Sequence, residues 1–269
     1  MLTALNIKIT LIEQRPTVLD FVDREIIETL LYTLRQRGVT FRLGEKVVGV
    51  GADGKGRVVA SLESGKEVHG DGLLYAVGRQ ANADLLNLPA AGLAPDDRGR
   101  ITVDDYYKTS VPHISAAGDV IGFPALASTS MEQGRLAVCN MFGIACRSRP
   151  EFLPYGIYTI PEISTVGMSE QELTEAKIPY EVGQSRYVEL AKGQISGVDV
   201  GLLKVLFHRQ TLKVLGVHAI GEGATEIIHV GQAVLSFGGT IEYFRDTVFN
   251  YPTFAEAYKV AGLDGLNKL

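Results

Sequence analysis

The stretch His113-Ile-Ser-Ala-Ala-Gly-Asp119, preceded by Thr109-Ser-Val-Pro112, has the clearest chemical content in the chain. An apolar run ending in glycine and aspartate resembles the carboxyl end of a strand where an open α/β sheet binds its ligand. Gly118 would let a ligand approach the backbone, and the Asp119 carboxylate can accept hydrogen bonds from sugar or polyol hydroxyls. The same dipeptide also makes turns that cap helices, so the flanking segments must decide between the two readings. The five histidines, His69, His113, His208, His218 and His229, have no metal-ligand spacing, and no metal is expected. Cys139 and Cys146 stand seven apart in an expected helix. A helix would hold their Cα atoms roughly 10 Å apart, beyond the limit of about 7 Å for a disulfide, so no bridge and no thiol chemistry are expected.

The elements that must position these groups follow from periodicity. Residues 6–13 (NIKITLIE) read as a strand buried on both faces of a parallel sheet. Asp20 can cap a following helix with an apolar face of Ile26, Ile27, Leu30, Leu31 and Leu34, stopped at Gly38. Three short β-rich runs, 45–50, 57–62 and 67–69, then form a meander. It leads into a second buried strand, 72–77 (GLLYAV), which ends at Gly78 and Arg79. After a loop-rich stretch comes the strand 113–117 and a helix over 128–141 rich in small residues, then a linker at 147–154. Beyond it the order is strand, strand, helix, three strands and helices, the pattern of an α+β domain with an antiparallel sheet. Ser169 and Glu172 form a capping box, 201–208 and 213–220 form a hairpin, and 224–237 and 254–266 are helices.

The combination resembles a family. The pattern TSxPxIxAxGD is similar to the second flavin-binding motif of the FAD-containing pyridine nucleotide disulfide oxidoreductases. The resemblance implies that Asp119 holds a ribityl hydroxyl and that Gly118 sits beside it. It also implies that Leu126 and Ala127 offer backbone contacts at a helix N-terminus facing the flavin, where about half a positive charge favours the reduced ring. The first region resembles the latter part of the family's nucleotide domain. Glu13 then takes the adenine ribose 2′-OH of NAD, although an acid at a strand end is commonly just solvated. Arg15 would offset the repulsion between Glu13 and the 2′-phosphate of NADP, and Gly78 and Arg79 stand where the chain leaves that domain. Residues 249–256 (FNYPTFAE) mark a branch. Members that exchange thiols carry a histidine before the Pro-Thr and a glutamate five residues after it, a proton donor with its orienting carboxylate. Here Glu256 remains but Tyr251 replaces the histidine, and a phenol with a pKa of about 10 is a poor proton shuttle at neutral pH. The segments GIYTIPEIS, EIIHVGQA and FNYPT resemble those of the family's soluble transhydrogenases, and no catalytic protein residue is implied.

The expected fold is therefore a partial Rossmann-like NAD(P) domain with a meander (1–80), a return into the FAD domain (81–150), and an antiparallel-sheet α+β dimerisation domain (151–269). The expected activity of the full-length protein is flavin-mediated hydride transfer between NADPH and NAD+, with FAD as cofactor, NAD(H) and NADP(H) as substrates, and a homodimer formed through 151–269. A dihydrolipoamide dehydrogenase-like enzyme or NADH diaphorase, and a non-catalytic dimerisation module, are the alternatives. The glycine-rich run 51–56 lies between two short strands, so it is no dinucleotide fingerprint. The 269 residues alone are expected to be a fragment that binds FAD poorly and has little activity. A formal charge of −5 with dispersed Lys and Arg argues against nucleic acid. No apolar run reaches the roughly 18 residues of a membrane helix, and the cytoplasm is the expected compartment.

Overall fold

Strand β1 (Thr10–Glu13), helix α1 (Arg24–Gln36) and strand β2 (Thr40–Leu43) form a β-α-β unit in the computed structural model, which describes residues 1–146 and 152–269. β1 and β2 pair in parallel, from Thr10 opposite Thr40 to Glu13 opposite Leu43. Parallel strands need a crossover, and α1 supplies it with Ile26, Ile27, Leu30 and Leu31 buried along one face. The cap differs from expectation. Asp23, not Asp20, accepts the Glu25 N–H at 3.1 Å. The expected strand over 6–13 is also shorter. Leu2–Leu5 is a 3-10 turn, Asn6 is left-handed with φ 58°, and β1 begins only at Thr10. It is one of the two paired strands of its sheet, and its residues are exposed or half-buried instead of buried on both faces.

The meander is present as β3 (Val47–Ala52), β4 (Val58–Leu62) and β5 (Glu67–Gly70), antiparallel in that order. Asp53 builds its first turn by accepting the Lys55 and Arg57 N–H groups at 2.8 and 2.9 Å. The strand expected at 72–77 is absent, and Leu74 and Tyr75 are each 78% exposed. A strand exists only as a member of a ladder, and among the described residues no segment pairs with this run.

The chain divides into two compact units, one of residues 1–73 with 151–269 and one of residues 74–150. The second unit has a small core of Ala83, Leu88, Leu93 and Ile101, backed by Val111, Ile114, Ala116 and Val120. The strand expected at 113–117 is reduced to one antiparallel bridge, Lys108 to Ser115, for the same want of a ladder. Helix α2 (Ala127–Met141) follows. The expectation for the cysteines is overturned. α2 ends at Met141, the chain turns at Phe142 and Gly143, and Cys146 comes back to bond Cys139 with Cα atoms 6.2 Å apart. The helical spacing that forbade the bridge does not extend to residue 146. Of the expected linker at 147–154, residues 147–151 lie outside the described residues.

In the first unit the chain continues with β6 (Tyr155–Ile157), β7 (Ile163–Gly167), α3 (Glu170–Glu175), β8 (Tyr180–Arg186), α4 (Ala191–Ser196), β9 (Gly201–His208), β10 (Val214–Gly221), α5 (Ala224–Ser236), α6 (Glu242–Asp246) and α7 (Glu256–Leu266). The five strands form one antiparallel sheet in the order β6-β7-β10-β9-β8. The capping box of Ser169 and Glu172 and the β9-β10 hairpin are as the sequence suggests. Val205, Phe207, Val217, Phe244, Tyr258 and Ala261 centre the core under α5–α7. α7 lies close on β8 because Gly183 has no side chain. A Cβ there would stand 2.1 Å from the Ala261 carbonyl oxygen.

The sheet's other face takes α1, with Ile26, Ile27, Leu30 and Leu31 meeting Ile163, Leu202 and Ile220. A buried ionic cluster pins this seam. Lys204 and Asp23 are both 0% exposed. The Lys204 Nζ donates to Asp23 Oδ1 at 2.9 Å, lies 3.0 Å from Glu25 Oε2, and also donates to Glu170 Oε2. Asp23 Oδ2 accepts the Glu170 N–H at 3.1 Å. Nearby, His218 Nε2 faces the Met168 carbonyl at 3.0 Å and Nδ1 faces the Thr165 hydroxyl. A carbonyl only accepts, so Nε2 carries the proton and Nδ1 accepts from Thr165.

Burial holds the His218 imidazole below its ordinary range, against the pull of Asp23. Burial alone would raise the Asp23 carboxyl, but His218 when charged, and Lys204, hold it below the usual carboxylate value. Burial likewise opposes the Lys204 charge, yet the Glu170 and Asp23 hydrogen bonds push it above the ordinary lysine range. An unfolded chain therefore binds more protons than the folded one below about pH 6.5 at His218, and again near about pH 4 at Asp23. Stability should fall as pH drops through those ranges. The Lys204 contribution has the opposite sense, complete below about pH 10.4 and lost above it. Urea midpoints at pH 7.5, 5.5 and 3.5 check the acid limb, and a flat profile would contradict it.

Candidate functional site

In the unit of residues 74–150, Gly118 and Asp119 sit on a sharp bend instead of a strand end. Gly118 has φ 83° and ψ −159°, a conformation that favours glycine, and a Cβ there would lie 3.2 Å from the Ser130 side chain. Its N–H donates to the buried Gln133 Oε1 at 2.8 Å. Asp119 opens a 3-10 turn to Ile121, and its half-exposed carboxylate accepts from Ser130 Oγ at 3.2 Å and from Arg79 Nη2 at 2.8 Å. Arg79, expected on the nucleotide side, thus ion-pairs with the residue expected to hold the flavin. It follows Gly78, whose φ is +125°. Neither Gln133 nor Ser130 stood out in the sequence, although both lie on one face of α2 at i, i+3 spacing, the spacing that brings side chains together.

α2 begins one residue after Leu126, which is its N-cap, and Ala127 is its first residue. No side chain caps this end and no acidic residue lies in its first turn. The helix dipole and free N–H groups there are thus uncompensated by the helix itself, an arrangement that suits an electron-rich partner. Two features fit the flavin expected from the motif, a half-exposed carboxylate with room to accept and a bare helix N-terminus, while the missing Cβ of Gly118 makes room for the Ser130 side chain.

In the other unit, Glu13 ends β1 and is held by Arg15 through both side chain and backbone. The Arg15 N–H and Nε donate to Glu13 Oε1 at 3.0 and 3.2 Å, and Nη2 donates to Oε2 at 3.2 Å. Nη1 of the same guanidinium donates to Asp20 Oδ1 at 3.1 Å. The Arg15 hydrogen bonds hold the Glu13 carboxyl below the usual range, and Glu13 raises Arg15 in turn. Arg15 and Asp20 remain about half exposed. The structure thus joins Glu13 and Arg15 and adds Asp20, which the sequence suggested as a helix cap.

Tyr251 and Glu256 are placed but not joined. Tyr251 is 71% exposed in the loop before α7, while Glu256 is the first residue of that helix. Glu256 Oε2 is buried and accepts no hydrogen bond. Among the described residues, the only trio of close metal-ligating groups is Asp23, Glu25 and Glu170, and the Lys204 ammonium already lies among them. No helix of the described residues is long and apolar enough to cross a membrane.

Comparison with known proteins gives a consistent set of likenesses. Residues 1–134 match the pyridine nucleotide-disulphide oxidoreductase model and residues 153–261 match that family's dimerisation domain. A protein of Mycobacterium tuberculosis named soluble pyridine nucleotide transhydrogenase is 53% identical over all of this chain, and one of Vibrio atlanticus with the same name is 52% identical over 98% of it. The chain spans 57% and 58% of the length of those relatives. Among solved structures, the HOCl-induced flavoprotein disulfide reductase RclA from Escherichia coli superimposes with a TM-score of 0.88 at 26% identity, over 95% of this chain and 59% of that one.

Proposed function

The chain belongs to the pyridine nucleotide-disulphide oxidoreductase family, and from that premise we propose that a polypeptide of its relatives' full length passes hydride between NADPH and NAD+ through bound FAD. The observation that carries this reading is the loop before α7. The thiol-exchanging pattern needs an imidazole oriented by a carboxylate, whereas here an exposed phenol stands at position 251 and the Glu256 carboxylate has no donor on its buried oxygen. The names of relatives above 50% identity agree with it.

In this reading the flavin supplies the hydride chemistry, accepting from one nicotinamide and giving to the next. The protein holds and tunes. Asp119 and the bend at Gly118 hold the ribityl chain, with Arg79 and Ser130 keeping the Asp119 carboxylate in place. The N–H groups after Leu126 and Ala127 favour negative charge on the ring. Glu13 binds the ribose of NAD, and Arg15 makes the site tolerant of NADP. Gly78 lets the dinucleotide approach the backbone. Residues 1–80 act as the nucleotide-binding part, 81–150 as the flavin-binding part, and 151–269 as the homodimer interface, in the cytoplasm. The 269 residues, which span 57% of the length of that Mycobacterium tuberculosis relative, should by themselves bind FAD poorly and show little activity.

The test is NADPH-dependent reduction of thio-NAD+ by the full-length protein, set against turnover of lipoamide and oxidised glutathione. Transhydrogenation should far exceed either disulfide activity. Tyr251→Phe should keep the transhydrogenase rate within about twofold, because no proton shuttles through that position. Dominant disulfide turnover, or a large loss in Tyr251→Phe, would defeat the assignment.

A further inference from the structure

We propose that Asp20 sets the nucleotide preference by competing with a 2′-phosphate for Arg15; this rests on the reading of Glu13 and Arg15 as the ribose end of the nucleotide site. The sequence suggests Asp20 as the cap of α1, but Asp23 does that work. Asp20 is left with a half-exposed carboxylate whose hydrogen-bond partner is Arg15 Nη1, at 3.1 Å. The guanidinium is therefore divided. Nε and Nη2 face Glu13, and Nη1 faces Asp20.

A ribose with free hydroxyls can bind while this arrangement stays intact, since Glu13 Oε2 accepts only the Arg15 Nη2 donor and has a further lone pair to offer. A ribose 2′-phosphate brings nearly two negative charges to a set that already has two carboxylates against one guanidinium. To bind it, Arg15 must release a carboxylate and turn a face of its fork to the phosphate. Glu13 cannot be removed without losing the ribose contact. The side-chain hydrogen bond and ion pair that Asp20 makes among the described residues are with Arg15, so it acts as a brake on the phosphorylated nucleotide alone. The pair is solvated and weak, so the brake is mild and permits both nucleotides instead of excluding one.

The experiment compares 2′,5′-ADP and 5′-AMP, which carry the adenosine end with and without the phosphate, as ligands of the full-length protein by calorimetry. Wild type, Asp20→Asn, Asp20→Ala and Arg15→Ala are titrated at low and high salt. Both Asp20 variants should raise the ratio of 2′,5′-ADP to 5′-AMP affinity about three- to fivefold at low salt, with the gain fading as salt screens the charges. Arg15→Ala should lower that ratio and abolish the effect of Asp20→Asn in the double variant. An unchanged ratio in both Asp20 variants, with Arg15→Ala still impaired, overturns the role of Asp20 and leaves the nucleotide site standing. Indifference of both ligands to Arg15→Ala and Glu13→Gln removes the nucleotide site itself, and this proposal with it.

Discussion

Replacing Lys204 by methionine is expected to destabilise the protein by about 3–5 kcal/mol, the usual cost of stranding a buried charge. The methionine fills nearly the same volume, so packing is preserved while the Asp23 carboxylate loses its cation. Asp23 cannot relax into water, being fully buried, and it is fixed by the two N–H groups it accepts, Glu25 at the start of α1 and Glu170 at the start of α3. Glu25 and Glu170 are only partly buried and can be rehydrated. The urea midpoint of Lys204→Met should therefore fall sharply, and the double variant Lys204→Met, Asp23→Asn should recover part of the loss, because its amide still accepts an N–H without a net charge. A loss below about 1 kcal/mol in the single variant would mean that the seam between α1 and the antiparallel sheet is held by its apolar contacts alone.

Asp119→Ala in the full-length protein is expected to weaken FAD binding by about tenfold to a hundredfold. A hydrogen bond to a charged group contributes about 1.5–3 kcal/mol, and tenfold in affinity corresponds to about 1.4 kcal/mol. The substitution also frees Arg79 and Ser130, whose contacts orient the carboxylate. Asp119→Asn keeps an acceptor in place and should fall between wild type and the alanine variant. Titrating FAD into the deflavinated protein and following the quenching of flavin fluorescence gives the constants directly. An affinity within twofold of wild type for Asp119→Ala would remove this residue from the flavin site.

Much of the second half of the chain was legible from local pattern. The capping box at Ser169, the 201–208 and 213–220 hairpin and the two late helices depend on neighbours a few residues away, and all stand in the structure. The motif ending in Gly118 and Asp119 was not legible as shape, since the strand expected before it is a looped segment with one bridge. The cysteines failed for a related reason: where a helix stops decides whether residues seven apart are far or near, and α2 stops five residues before Cys146.

The sequence by itself determined the family motifs, the presence of tyrosine and not histidine before Pro252, and the two-part grammar of a nucleotide-domain pattern followed by an antiparallel one. These are properties of residue type and short-range spacing. The tertiary structure alone decided which acid caps α1, what Asp20 does once freed, and that Lys204 meets Asp23 across 181 positions of chain. It also decided that residues 72–77 form no strand. The physical reason is the same in each case: a ladder, a buried ion pair and a contested guanidinium need partners brought close in space, and no local spacing records which partner arrives.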